Sequence, residues 1–152
     1  MKRTSWAKLL FGLYCLMMLW LLFGQRIGNA HPKPYWQEVQ GNLILEPLET
    51  IRDFLWVIRH SSNRGMVNHA IINLGGNVIM FVPLGFFDAV LWEKQRKFAR
   101  HLLTMTAVIL AVELAQLFTL LGTCDVDDLL LNLVGTTLGF LLWKLLHGIK
   151  SK

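Results

Sequence analysis

Four long apolar stretches constrain this chain more than any other feature of its sequence. They cover residues 9–24, 67–92, 101–121 and 129–147. A helix of about 20 apolar residues crosses the hydrocarbon core of a bilayer, and a helix satisfies its own backbone hydrogen bonds there. The sequence therefore predicts an all-α fold, a small polytopic membrane bundle of about four transmembrane helices, with the lipid bilayer as its partner.

Composition and charge agree with a membrane protein. The chain is 54% hydrophobic and 16% charged, whereas a soluble domain has about 25% charged residues. The net charge of +5 suits either nucleic acid or an anionic membrane. The cations stand at the ends of the apolar stretches and form no basic face with interleaved aromatics, so no nucleic acid is expected as a partner. Two cysteines, Cys15 and Cys124, make no disulfide framework.

The first apolar stretch has two interpretations. Basic residues before it and Gly28-Asn29-Ala30 after it fit a signal peptide with a small-x-small cleavage site. The stretch also stays apolar to its end, and Lys8 can extend its ammonium group toward the head groups, which fits an uncleaved transmembrane helix. We favour an N-terminal transmembrane helix within residues 1–24.

The next segment, residues 25–66, is mixed in polarity and connects the first two spans. Within it, residues 47–59 place apolar side chains at helical spacing, and Pro47 suits the first turn of a helix. This piece is too short and too charged to span, so we expect an amphipathic helix in the plane of the membrane surface. A three-helix core over residues 67–147 and a tail of residues 148–152 follow.

The distribution of Lys and Arg predicts the orientation in the membrane. Both ends of the chain and the loop of residues 93–100 are rich in Lys and Arg. The turn of residues 122–128 contains three acids and no Lys or Arg. We expect both termini and that loop in the cytoplasm. The 25–66 connection and the acidic turn would then lie outside the cell.

A small set of polar side chains lies within or beside the last three spans, where lipid cannot solvate them. Residues three and four apart share a helix face, so these side chains form stripes that must meet protein or trapped water. Counted at about 1.5 Å per residue, the intramembrane members fall in the outer half of the bilayer. The candidate functional cluster consists of Asn73, Asn77, Glu113, Gln116, Asp125, Asp128 and Asn132. A cavity opening outward is predicted, for an exofacial lipid or a cell-wall precursor.

The cluster admits several roles. Glu113 can be a ligand-binding or proton-carrying group, as in a small transporter, or a protonated structural carboxyl. Glu113 and Asp128 could act as general acid and base of a membrane enzyme. The amides can be interhelical hydrogen-bond donors, and Asp127 and Asp128 suit the N-terminus of the last helix.

A cation shared by Asp125, Asp128 and Glu113 is a further hypothesis. The chain contains no recognised metal or cofactor motif, and the five histidines show no ligand spacing, so no metal ligand and no cofactor are predicted.

Three features should shape the helices themselves. Pro83 removes an amide donor from the second span, which predicts a kink. Gly135 and Gly139 form a GxxxG pattern typical of closely packed helices. The pair Gly75-Gly76 allows a close approach of another backbone.

Three ordered blocks resemble the VanZ-like family of bacterial membrane proteins: NVIMFVPLGFF at 77–87, VELAQLF at 112–118 and DVDDLLLNLVGTTLGF at 125–140. They fit the patterns N-x-x-x-F-x-P-x-G, E-x-x-Q and D-x-x-D-x-x-x-N-x-x-G-x-x-x-G. The resemblance covers about residues 42–140. The positions that match are Asn77, Phe81, Pro83, Gly85, Glu113, Gln116, Asp125, Asp128, Asn132, Gly135 and Gly139.

What the resemblance implies is a bacterial cell-membrane location and an association with resistance to the glycopeptide teicoplanin, without a defined mechanism. The chain departs from the family at one place. The typical Asn-Leu-x-Pro-Phe before the interfacial helix is replaced by Asn42-Leu43-Ile44-Leu45-Glu46-Pro47-Leu48.

Overall fold

The computed structural model describes residues 3–24, 27–28 and 32–148. The helices in this part of the chain are α1 Arg3–Leu22, α2 Tyr35–Gly41, α3 Glu49–His60, α4 Arg64–Leu91, α5 Phe98–Thr119 and α6 Val126–Gly148. Two short strands, β1 Leu43–Ile44 and β2 Cys124–Asp125, and a 3₁₀ turn over Glu93–Arg96 complete the elements. The all-α prediction is confirmed.

Four helices are long and apolar enough to cross a membrane: Ser5–Leu22, Arg64–Leu91, Phe98–Thr119 and Val126–His147. They correspond to the four apolar stretches of the sequence. The protein is therefore a multi-pass membrane protein embedded in a lipid bilayer. Within the proposed cleavage site, Asn29 and Ala30 lie outside the described residues, as do the last four residues of the predicted tail.

The central contact of the bundle is between α4 and α6, and glycines permit it. A Cβ on Gly85 would lie 1.9 Å from the carbonyl oxygen of Thr136. A Cβ on Gly139 would lie 2.0 Å from the carbonyl oxygen of Val82. No side chain fits at such distances, so the two backbones touch directly, as small residues allow between membrane helices.

Two further expectations for α4 concern the pair Gly75-Gly76 and Pro83. Added Cβ atoms on Gly75 and Gly76 would meet no heavy atom within 4 Å, so the close approach that this pair allows does not occur there. The backbone contact of α4 with α6 runs instead from Val78, opposite Gly135, to Gly85, opposite Thr136. Pro83 stands inside a helix assigned without a break from Arg64 to Leu91, and the kink stays a prediction.

The flanking helices α1 and α5 close a core around Phe81. Tyr14, Met105 and Ile109 are buried against it, and the Tyr14 hydroxyl donates to the carbonyl oxygen of Met80 at 2.7 Å. Four of the buried residues on α5 follow a four-residue spacing: His101, Met105, Ile109 and Glu113. One stripe of α5 therefore carries an ionisable side chain toward each end of the bundle.

The 25–66 connection holds more structure than the sequence predicted. Val39 of α2 is buried against Leu117 and Cys124, and β1 pairs in parallel with β2. The amide of Cys124 also donates to the carbonyl oxygen of Asn42 at 2.8 Å. Elements of seven and two residues are too short to give a periodic signal, because their stability comes from packing on the α5–α6 turn.

The amphipathic helix is present as α3, but its start was predicted two residues too early. Leu48 adopts φ 66° and ψ 8°, in the left-handed region, so the helix begins at Glu49 and Pro47 lies outside its first turn. The ring of Phe54 packs against that of His69 on α4, with centroids 5.7 Å apart. No residue of α3 is fully buried, so α3 lies on the bundle surface.

Candidate functional site

The two ends of the bundle carry different chemistry. The turn end is where residues 120–125 join α5 to α6, and the loop end is where residues 92–97 join α4 to α5. The candidate cluster belongs to the turn end. Its polar side chains connect elements far apart in the sequence.

At the start of α6, Asp125 serves two elements. One carboxylate oxygen accepts from the backbone amide of Asp127 at 2.8 Å, which caps the N-terminus of α6. The other oxygen accepts from the Thr50 hydroxyl at 2.7 Å. Asp125 therefore joins α6 to the first turn of α3.

The carboxylate of Asp127 is fully buried and caps α3, not its own helix. Its two oxygens accept from the backbone amides of Leu48 at 2.6 Å and Ile51 at 3.0 Å. The prediction that Asp127 caps α6 is therefore wrong, although Asp127 and Asp128 both lie in the first turn of α6, where acids complement the helix dipole. Asp125 directly precedes the helix and takes that role, which leaves the Asp127 side chain to bind the N-terminus of α3.

The remaining cluster residues connect the spanning helices. The Asn77 amide on α4 donates to Asp128 on α6. The Asn132 amide on α6 donates to Glu113 on α5 at 3.5 Å, a long hydrogen bond. The Gln116 amide on α5 donates to the carbonyl oxygen of Leu22 at the end of α1 at 3.0 Å. All four spanning helices are thus joined by polar contacts at the turn end.

Two predicted members carry a side-chain oxygen that none of these contacts uses. Within the described residues, no hydrogen-bond partner faces the buried side-chain oxygen of Asn73 or that of Asn132. Buried acceptors are usually paired, so these two oxygens have hydrogen-bonding capacity left for a water molecule or another donor.

The shared-cation hypothesis finds no support in this arrangement. Among the described residues, no three His, Cys, Asp or Glu side chains come close enough to hold a metal ion. Asp125 instead accepts hydrogen bonds from Asp127 and Thr50, and Asp128 accepts one from Asn77.

Cys124 lies beside the cluster and is buried. Burial raises the pKa of its thiol, and the neighbouring carboxylates of Glu113 and Asp125 raise it further. A thiol in this setting reacts slowly, because the thiolate is the nucleophile.

The loop end holds a pair that the sequence interpretation missed. The Nδ1 atom of His101 lies 2.7 Å from a carboxylate oxygen of Asp88, and both side chains are buried. The imidazole also stacks on Phe140, with ring centroids 4.7 Å apart. Asp88 and His101 each stand one turn from the α4–α5 loop, so a hairpin of these two helices brings them opposite one another. Their equal distance from the loop is the sequence signal that could have predicted the pair.

Comparison with known proteins gives one match. Residues 11–147 match the VanZ/LLP1 family model, which spans nearly the whole chain. Searches of curated proteins and of solved structures found no match. The chain, with its glycine-packed α4–α6 pair and its polar turn end, therefore belongs to the VanZ-like family.

Proposed function

We propose that this protein lowers the susceptibility of a bacterium to lipid-tailed glycopeptides of the teicoplanin type by acting at the outer leaflet of the cell membrane. The observation that carries the proposal is the concentration of polar contacts and of α3 at one end of the bundle. The implied link of VanZ-like proteins with teicoplanin supports the choice of drug.

The orientation is part of the proposal. The turn end carries acids and the loop end carries Lys94, Arg96, Lys97 and Arg100. By the distribution of cations, the loop end and both termini are cytoplasmic and the turn end is exofacial. The cluster of Asn73, Asn77, Glu113 and Asn132 then lies below the outer surface, and α3 lies on it.

In this proposal, α3 gives the outer leaflet a protein surface that is anchored to the bundle. Asp125 and Asp127 bind the first turn of α3 through three hydrogen bonds, to Leu48, Thr50 and Ile51. Below it, the cluster can bind an exofacial lipid or a cell-wall precursor by its polar groups. A drug whose acyl tail anchors in this layer gains about 0.8 kcal/mol for each buried methylene. A protein that competes with the drug for this layer would therefore reduce the action of tailed drugs most.

Expression in a susceptible Gram-positive host tests the proposal. The inhibitory concentrations of teicoplanin and of vancomycin, which lacks the tail, are measured with and without the protein. We expect a larger rise for teicoplanin. A host expressing an unrelated four-span protein at the same membrane level controls for crowding of the membrane.

Two results would contradict parts of the proposal. Equal rises for both drugs would remove the role of the tail, and no rise for either would remove the glycopeptide function. Dependence of the rise on the pH gradient would favour the transporter hypothesis for Glu113. Consumption of a lipid or wall precursor by purified protein would favour the enzyme hypothesis for Glu113 and Asp128.

A further inference from the structure

We infer that the outward face of α3 binds a phospholipid whose head group carries a net negative charge. This face forms an open groove of about 580 Å³, here named the α3 groove. The residues used in the argument are Leu48, Arg52, Leu55, Trp56, Arg59 and His60. The α3 groove is separate from the polar cluster around Glu113 and Asn132.

The α3 groove is the face of the helix that the bundle leaves uncovered. Phe54 and Val57 turn toward the start of α4, where Phe54 meets the ring of His69. Three- and four-residue spacing puts Leu55 and Trp56 on the other side. Leu55 is 41% exposed and Trp56 is 60% exposed.

Two arginines beside this apolar face indicate that its ligand is negatively charged. Arg52 and Arg59 lie seven residues apart, on one side of α3 and about 10 Å apart along its axis. Within the described residues, neither arginine forms an ion pair, and the acids Glu49 and Asp53 are not among the residues lining the groove. A guanidinium presents paired donors that match phosphate oxygens. Two such cations above an apolar strip fit an anionic lipid better than a neutral apolar partner.

The level of α3 in the bundle fits a head group. Asp127 holds the first turn of α3 against the start of α6, and three residues separate the end of α3 from the start of the spanning helix α4. α3 therefore lies level with the ends of two spanning helices, at the depth of the lipid phosphates. Trp56, stacked on His60 with centroids 5.0 Å apart, is the residue type enriched at this interface.

Native mass spectrometry of the full-length purified protein tests the site. The protein is equilibrated with mixed micelles of equal amounts of phosphatidylglycerol and phosphatidylcholine, and the ratio of the two bound lipids is measured. A surface cation contributes about a fivefold preference for anionic lipid. We expect Arg52→Gln and Arg59→Gln each to lower the ratio about fivefold, and the double variant about 25-fold.

Arg64→Gln is the matched control, because Arg64 is an exposed arginine at the same end of the bundle but outside the groove. We expect it to leave the ratio near that of the unchanged protein. Trp56→Ala removes apolar contact only, so it should lower retention of both lipids and preserve the ratio. Thermal unfolding in detergent verifies that every variant is folded.

Three results would overturn the inference. The unchanged protein could show no preference for phosphatidylglycerol, the double variant could keep the full preference, or Arg64→Gln could reduce it as much as Arg52→Gln does. The last result would reduce the effect to general surface charge. None of these measurements uses a drug. The lipid-binding inference can therefore fail while the proposed function stands, and the proposed function can fail while lipid binding is confirmed.

Discussion

At the scale of single residues, the buried polar side chains differ in how fully their hydrogen-bonding groups are paired. The carboxylates of Asp125 and Asp127 accept hydrogen bonds from backbone amides at the starts of α6 and α3. Asn73 and Asn132 keep a buried acceptor that no described residue binds. Glu113 accepts a hydrogen bond from Asn132 and is therefore part of the contact between α5 and α6. It is also a buried ionisable residue in the turn-end half of α5.

A pair of substitutions at Glu113 separates its charge from its hydrogen bonding. We expect Glu113→Gln to insert normally but to lose the drug phenotype, since Gln keeps the hydrogen bond and removes the titratable group. Glu113→Leu should also lower the amount of protein in the membrane, because the Asn132 amide then loses its acceptor at a cost of about 1–3 kcal/mol. Membrane levels and inhibitory concentrations are measured together.

The matched control is Glu93→Gln, the same change at an exposed position on the loop end. It should alter neither quantity. Full activity of the Glu113→Gln variant would show that the carboxylate serves only to hold α5 against α6.

At the scale of elements, α3 owes its position to carboxylates of another helix. Both oxygens of Asp127 accept from backbone amides at its start, and Thr50 donates to Asp125. The left-handed Leu48 turns the chain so that its amide reaches this carboxylate. The pairing of β1 with β2 holds the preceding residues against the same site. The four-residue connection between β1 and α3 is thereby fixed at both ends.

Removal of the Asp127 carboxylate should release α3 and leave the spanning helices in place. We expect Asp127→Ala to cost about 1–2 kcal/mol, in the range measured for lost N-caps, because two amides of α3 lose their acceptor. Hydrogen exchange read by mass spectrometry should show faster exchange over Leu48–Leu55 than in the unchanged protein. Exchange in α4 and α6 should change little.

Asp53→Ala is the control for this experiment, since Asp53 is an exposed acid on α3 itself. Equal exchange in the Asp53→Ala and Asp127→Ala proteins would contradict the assignment of Asp127 as the cap of α3.

At the scale of the whole molecule, the orientation that the charges predict can be measured by thiol labelling. Cys124 is a poor reporter, because it is buried and its thiol pKa is raised. Its thiolate is therefore scarce near neutral pH, and its labelling should accelerate as the pH rises. Introduced cysteines at exposed Ser62 and Lys94, in a background without Cys15 and Cys124, report the two ends directly.

We expect a membrane-impermeant maleimide to label Ser62→Cys in intact protoplasts and to label Lys94→Cys only after lysis. The reason is the cation-rich loop end, which the positive-inside rule places in the cytoplasm. The opposite pattern would invert the bundle and would put α3 on the cytoplasmic leaflet.

The sequence by itself determined the spanning helices, because each stretch carries its own signal of about 20 apolar residues. It also indicated the polar residues of the turn end that lipid cannot solvate, and the amphipathic character of α3. These properties are local, so a single stretch is enough to predict them. Among the predicted packing residues, Gly135 and Gly139 do lie where α6 touches α4.

Only the tertiary structure decided how those side chains pair. Asp125, Asp127 and Asp128 are nearly adjacent in sequence, yet they bind Thr50, Leu48 and Asn77 on separate elements. Asp88 and His101 pair across a hairpin, and α2 and β1 exist because the turn end supports them. Each of these contacts depends on the relative placement of elements distant in the chain, and periodicity within one element carries no information about that placement.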